Sequence, residues 1–284
     1  MLIAAPLALA ALVGLQQQTD TTVTVPAGTR LEVSNQAGTT HITTWDRDAV
    51  RIRAQHGSRD VIEIELRGSV LSVEAERERG GMPAFVDYEI TVPRAMAVDV
   101  DGVDNEVTVE GVAGNIQVST VEGGITVRGA GGEVAVTTVE GDIVLEGGRG
   151  RIAITGVEGA VSVTGARGTV SVETVEGDIT LENVESADVD LSTVEGNVTY
   201  RGTVQDGGRY RLTSHEGDLV LAAPPGFNAA VSVATFDGTF EADPAFSVQV
   251  SQVRPGRRFS FTLGTGSAQV ELESFDGAIR LEKR

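Results

Sequence analysis

The chain contains no cysteine, which rules out disulfides, zinc–thiolate sites and attachment to a lipid through cysteine. Histidine is nearly absent too: His41, His56 and His215 are the only three, and no two have the spacing of metal ligands. Aromatic residues make up 4% of the chain, and none falls between Tyr88 and Tyr200, so the core of that stretch must be aliphatic. Basic residues are scarce. Twenty-two Lys and Arg stand against 41 Asp and Glu, a formal net charge of −19. That balance argues against nucleic acid and against anionic membrane surfaces as partners. After residue 15 no apolar run is long enough to cross a bilayer. There is no Gly-x-Ser-x-Gly, no Walker loop and no dinucleotide fingerprint.

What the chain has is glycine at a fixed step. Gly114, Gly123, Gly132, Gly141, Gly150, Gly159, Gly168 and Gly177 are nine residues apart, and Asn105 and Ser186 extend the count. The third and fifth positions after each are apolar: Val107 and Val109, Ile116 and Val118, Ile125 and Val127, and so on to Ile179 and Leu181. Apolar residues two apart, with small or polar ones between, mark short strands with one buried face. The nonads alternate. One corner reads Val-Glu-Gly, at Val121, Val139, Val157 and Val175, and the other is smaller, at Gly129-Ala130, Gly147-Gly148 and Gly165-Ala166. The true period is therefore eighteen residues.

A period of this kind signals a solenoid, whose units bury their apolar faces only against one another. The pattern predicts an all-β fold, a parallel β-solenoid with two short strands and two corners in each eighteen-residue coil. The alternative is an antiparallel meander or sandwich. A meander would need a second layer over its apolar face, and no helical pattern is present to supply one. The corner valines Val139, Val157 and Val175 are expected to point inward and stack, and Thr164 to point outward. The acids beside them, Glu122, Glu140, Glu158, Glu176 and Glu195, continued by Glu216 and Asp237, would then stand about 4.8 Å apart. They either splay into solvent and bond the amides of their own corners or form a ladder that collects cations.

Outside this core the rhythm loosens. Residues 2–15 are apolar and rich in Ala and Leu, with Ala8-Leu9-Ala10 as a cleavage signal, and they predict a signal peptide over 1–18. Residues 19–104 predict a β region capping the solenoid. Its strands are expected at 22–25, 30–34, 39–44, 49–53, 61–66, 70–74 and 87–92. Turns are expected at Asn35-Gln36-Ala37-Gly38 and Gly80-Gly81-Met82-Pro83. The repeats proper run over 105–240, with coils lengthening to nineteen and then twenty-one residues. In 241–284 a hairpin is expected, with strands 247–253 and 257–263 around Arg254-Pro255-Gly256, followed by two closing strands.

Chemistry is sparse. His215 takes the place of a corner valine and reads as a packed side chain. Outward strand positions are small, as at Thr126, Ser162, Ser171 and Thr180, and offer no aromatic platform for a sugar. The nonads resemble the calcium-binding rolls of secreted toxins, but Thr, Val or Ala stands where that motif needs Asp. No catalytic, cofactor-binding or metal-ligating residue is assigned, and no cofactor.

Residues 39–53, the strand Tyr88-Glu89-Ile90-Thr91-Val92-Pro93, the Thr-Val-Glu-Gly-Asp-Ile corners and the closing Ser274-Phe275-Asp276-Gly277-Ala278-Ile279-Arg280-Leu281 resemble the bacterial putative-adhesin family. That is an exported β-strand-repeat domain of unknown function. The resemblance implies a β-solenoid-like body at the cell envelope and brings no catalytic residues. The expectation is thus a non-enzymatic exported protein of the periplasm or cell surface, an adhesin, scaffold or sensing module. Its partner would be an envelope protein or a glycan, and it would be a monomer or a weak edge-mediated oligomer. The alternative is a carbohydrate-active enzyme, a lyase or hydrolase, on a solenoid. A cleft with facing acids and an Arg supplied by residues 241–267 would favour it.

Overall fold

The computed structural model describes residues 16–77, 84–246 and 257–284. Within them the chain forms strands, one 3-10 turn at Pro244–Phe246, and no α-helix. Strand Ile116–Glu122 leads to Ile125–Arg128, and the next coil repeats the step with Val134–Glu140 and Ile143–Glu146. Val134 pairs in parallel with Ile116 on one side and Ile152 on the other, and Ile143 with Ile125 and Val161. Each coil therefore lies on the one eighteen residues before it. The inward side chains of both ladders join one hydrophobic cluster. This is the parallel β-solenoid, and the meander is excluded, since its neighbours would be antiparallel and only nine residues apart.

The β-branched inward residues suit a pleated surface, and Val134, Ile143, Ile152 and Val161 are buried. The step grows to nineteen at Val170↔Val189 and Ile179↔Val198, then to twenty-one at Val189↔Tyr210 and Val198↔Leu219. Two buried tyrosines accommodate the longer coil. Tyr200 meets Tyr210 edge to face at 5.7 Å. The Tyr200 hydroxyl donates to Thr203 O at 2.7 Å, while that of Tyr210 donates to Ser186 O and accepts from Gln205 N at 2.8 Å. The extra residues are thereby pinned to the core.

At both ends the coils stack out of chain order. Strand Arg209–Glu216 pairs with Ala268–Asp276 (Tyr210↔Val270), which in turn pairs with Ala229–Thr235 (Val231↔Val270). On the other ladder Ile279–Lys283 lies between Leu219–Ala223 and Phe240–Ala242. The last coil of the chain thus slots between two that precede it, and Arg257–Leu263 closes this end antiparallel to Ala229–Thr235. The expected hairpin strand 247–253 and its turn lie outside the described residues, as do residues 2–15 and the loop at 80–83.

The N-terminal end mirrors this. In Arg30–Trp45, Leu31 pairs with both Leu71 and Val98, and Ile42 with both Ile90 and Val109. That coil is held between Val70–Arg77 with Phe85–Pro93 on one side and Ala97–Glu110 on the other. Beyond these neighbours the end is closed by antiparallel strands, with Asp60–Arg67 on Val70–Arg77, Ala49–Gly57 on Phe85–Pro93, and Gln16–Thr24 on Ala49–Gly57. The turn expected at Asn35–Gly38 is a corner through which the ladder continues. Asn35 is buried there and donates from Nδ2 to Asn105 Oδ1 at 3.0 Å and Val86 O at 3.0 Å.

Candidate binding surface

The Val-Glu-Gly corner is where the sequence reading needs its main correction. Along Val134–Glu140, inward positions alternate as Val134, Val136 and Thr138, so Thr138 is buried and Val139 points out. Every second side chain of a strand faces the same way, and the valine falls on the wrong beat to be core. Val121, Val139, Val157, Val175 and Val194 are 38–46% exposed. The corner interior is lined by hydroxyls except at Gly156, with Thr120 Oγ1 donating to Thr138 Oγ1 at 3.0 Å. Thr164 is half-buried on the outer side of its strand, as expected.

Backbone bonds fix these corners one above another. Glu158 N donates to Val139 O at 2.8 Å and Glu176 N to Val157 O at 2.7 Å. Gly141 N donates to Glu158 O at 3.0 Å and Gly159 N to Glu176 O at 3.1 Å. The glycine is obligatory: Gly141 has φ +141°, and a Cβ on it would sit 2.4 Å from Gly123 O. Successive acids are register partners, from Asp104↔Glu122 and Glu122↔Glu140 through Glu195↔Glu216 to Glu216↔Asp276. All are exposed.

The result is two parallel rails on one corner, apolar and anionic. Where the coils widen, the apolar rail turns aromatic. His215 stacks on Phe275 at 4.7 Å, and Phe275 on Phe236 at 4.7 Å, with interplanar angles of 9° and 6°. His215 is therefore exposed and stacked, not packed inside, and these rings supply an aromatic surface that the sequence reading missed. Their spatial order, His215–Phe275–Phe236, follows the interleaved coils, so adjacent residues of the stack are far apart in the chain.

A groove of about 400 Å³ runs beside this stack, lined by Thr193, Thr213, Phe236, Phe275, Arg258 and Glu273 among others. Arg258, which comes from the 241–267 segment, pairs with Glu271 at 3.2 Å and Glu273 at 3.0 Å. Two acids and an Arg are thus together. The acids stand at alternate positions of one strand and share the same arginine. Glycoside cleavage instead needs two carboxyls flanking the bond to be broken.

Perturbed titrations, which often mark reactive sites, are dispersed here. Burial pushes the hydroxyls of Tyr88, Tyr200 and Tyr210 up. The Ala278 N–H and the Arg280 guanidinium hold Asp218 low. Asp99 is pushed up by its burial and by Asp101 and Glu32. Among the described residues no three of His, Asp and Glu are grouped as a metal site.

The family model described as Toastrack DUF4097 matches residues 29–282. The chain belongs to that family. The matched span begins one residue before the inner N-terminal coil and ends within the interleaved last one, so the Toastrack domain is the clasped solenoid entire. No curated protein matches. Among solved structures, one described as a putative cell adhesion protein from Clostridium sporogenes is 9% identical, with a TM-score of 0.25, over 94% of this chain and 100% of that one. Another, described as a putative adhesin from Bacteroides fragilis, is 10% identical, with a TM-score of 0.44, over 93% and 97%. At these values the two likenesses lend nothing to a reading of function. Within this Toastrack chain no helix is long and apolar enough to cross a membrane among the described residues.

Proposed function

We propose that the protein is an exported, non-enzymatic binding module of the cell envelope that engages an envelope protein or a glycan through its exposed solenoid surface. The observation that carries this is the corner. Packing demands the glycine there, but it demands neither an apolar side chain at the outward position, where the valines are 38–46% exposed, nor the glutamate, which stands beside its own kind. Two like charges 4.8 Å apart repel by about 1 kcal/mol in bulk water. Other outward positions vary from coil to coil, as in the register series Gln117, Ala135, Ala153, Ser171, Asp190 and Arg211. The corner keeps Val-Glu through five coils and then gives aromatic-acid. A surface kept uniform at a cost to the fold is one that meets something.

Export is supported by the apolar run 2–15 with its small-residue cleavage signal. The module would work as a monomer or a weak edge-mediated oligomer. The carbohydrate-active alternative draws its support from Arg258, Glu271, Glu273 and the neighbouring aromatic stack. Incubating purified protein with plant, bacterial and algal glycans separates the two. Absence of product is expected, and sustained turnover abolished by Glu273→Gln would replace the binding reading with the enzymatic one.

A further inference from the structure

The corner rails select one kind of partner. From Val121 to Phe236 the apolar rail has eight members in register, seven steps of about 4.8 Å, or about 34 Å in all. Exposed apolar surface of this length marks an interaction site. Its occupant is narrowed first by charge. A second copy of the chain would bring another net −19 and another carboxylate rail to the same place, so self-association along this corner is opposed. A partner with basic residues flanking an apolar stripe is complementary to both rails at once.

Geometry narrows it further. An α-helix advances about 5.4 Å per turn, only about 0.6 Å more than the coil spacing, so over three turns its offset from the rail stays below about 2 Å. An extended strand repeats its same-side residues every 6.6–6.8 Å or so and loses register within two coils. We propose that the Val-Glu corner docks a basic amphipathic helix of a partner protein. The helix sets its apolar stripe on Val121–Val194 and the aromatic stack, with Lys or Arg over the acids from Glu122 to Asp276. The inference rests on the binding-module reading and specifies its ligand.

The test uses the full chain and fluorescein-labelled peptides of leucine and lysine, about 18 residues long. One has a helical pattern, one of equal composition has strict alternation, and one helical control carries Glu in place of Lys. The helical lysine peptide is expected to bind and to gain helical circular dichroism, and to be released as salt rises. The alternating and acidic peptides are expected to bind at least about tenfold more weakly. Val139→Ser with Val157→Ser and Val175→Ser, and separately Glu140→Gln with Glu158→Gln and Glu176→Gln, should each weaken binding by about tenfold or more. Glu146→Gln with Glu182→Gln and Glu282→Gln, away from the corner, should not.

Methyl NMR of the parent needs no variant to fold. The peptide should shift the signals of Val139, Val157 and Val175 and leave buried Val136 and Val163 unmoved. The proposal is overturned if the helical lysine peptide does not bind. It is equally overturned if the alternating peptide binds as well, or if the off-corner Gln set weakens binding as much as the corner set. Corner methyls that shift with protein concentration alone would overturn it in favour of a second copy. None of these outcomes bears on the glycan turnover test.

Discussion

Two glycines three residues apart in one corner, Gly156 and Gly159, should respond to alanine in opposite directions. Gly159 has φ +127°, and an added Cβ would stand 2.4 Å from Gly141 O and 2.7 Å from Gly141 C. An L-residue there costs about 1–2 kcal/mol in backbone strain. Relieving the clash means parting the coils where Gly141 N bonds Glu158 O and Glu158 N bonds Val139 O. Each of those bonds is worth about 1 kcal/mol. Gly159→Ala should therefore destabilise by roughly 3–4 kcal/mol. Gly156 occupies the buried corner position that is Thr138 and Thr174 in the flanking coils, and its φ lies outside the left-handed region. A Cβ there would meet Thr174 Oγ1 at 3.4 Å, ordinary contact. Gly156→Ala should stabilise by about 0.4–1 kcal/mol through the unfolded chain. Urea titration followed by circular dichroism reads both, compared as midpoints because repeat arrays depart from two-state unfolding. If Gly159→Ala is tolerated as well as Gly156→Ala, the corners do not stack backbone on backbone and the register is wrong.

Three further outcomes follow from the same structure. Val157→Asp should cost about 1 kcal/mol or less, since Val157 is 38% exposed and points outward, so that an aspartate there reaches solvent, whereas Ile154→Asp, in the buried core, should abolish cooperative folding; equal melting curves would contradict the inward and outward assignment. Leu272→Ala should cost about 2–5 kcal/mol although it lies near the C-terminus, because its coil is clasped between two others; a loss below 1 kcal/mol or so would place that coil at a fraying end. Asp99 has a folded-state pKa raised by burial and by Asp101 and Glu32, so folding favours its protonated form. Its contribution therefore improves as pH falls toward the unfolded value of about 4 and is unfavourable above the folded one. Asp99→Asn should raise the melting temperature at pH 7 and lose that advantage below about pH 4.

The solenoid itself was legible because its constraint is local and repeated. Glycine every nine residues and apolar pairs two apart admit few folds, and the lack of any second layer to cover a meander favoured the solenoid, whose parallel register the strand pairing then settles. The corner valines were misread because valine is usually core and threonine usually surface. The phase set by Val134 and Val136 puts Thr138 inward, and continuing the count of two through the corner would have found it. The Asn35–Gly38 corner looked like a turn because Asn and Gly favour turns. Its likeness to the corner at Asn105, which the nonad count did include, was the missed signal. The interleaved ends had no local signature. Each coil carries the same inward pattern, so neighbours in the stack are chosen by features such as the stacking of Phe275 on both His215 and Phe236, which no short window of sequence contains. The aromatic surface was missed for the same reason, since its three rings come from three separated segments.

The most direct test of the account is a set of three distances along the acidic rail. The chain has no cysteine, so spin labels can be placed in pairs at Glu122 and Glu216, Glu122 and Asp276, and Glu122 and Asp237. The parallel stack with its interleaved last coil puts these five, six and seven steps apart, about 24, 29 and 34 Å at 4.8 Å per coil. Residue 276 should thus lie nearer to 122 than residue 237 does, against their order in the chain. Double electron–electron resonance resolves that difference. A 122–276 distance longer than the 122–237 distance would contradict the interleaving, and a 122–216 distance near 48 Å, the span of about ten sequential antiparallel strands, would contradict the solenoid.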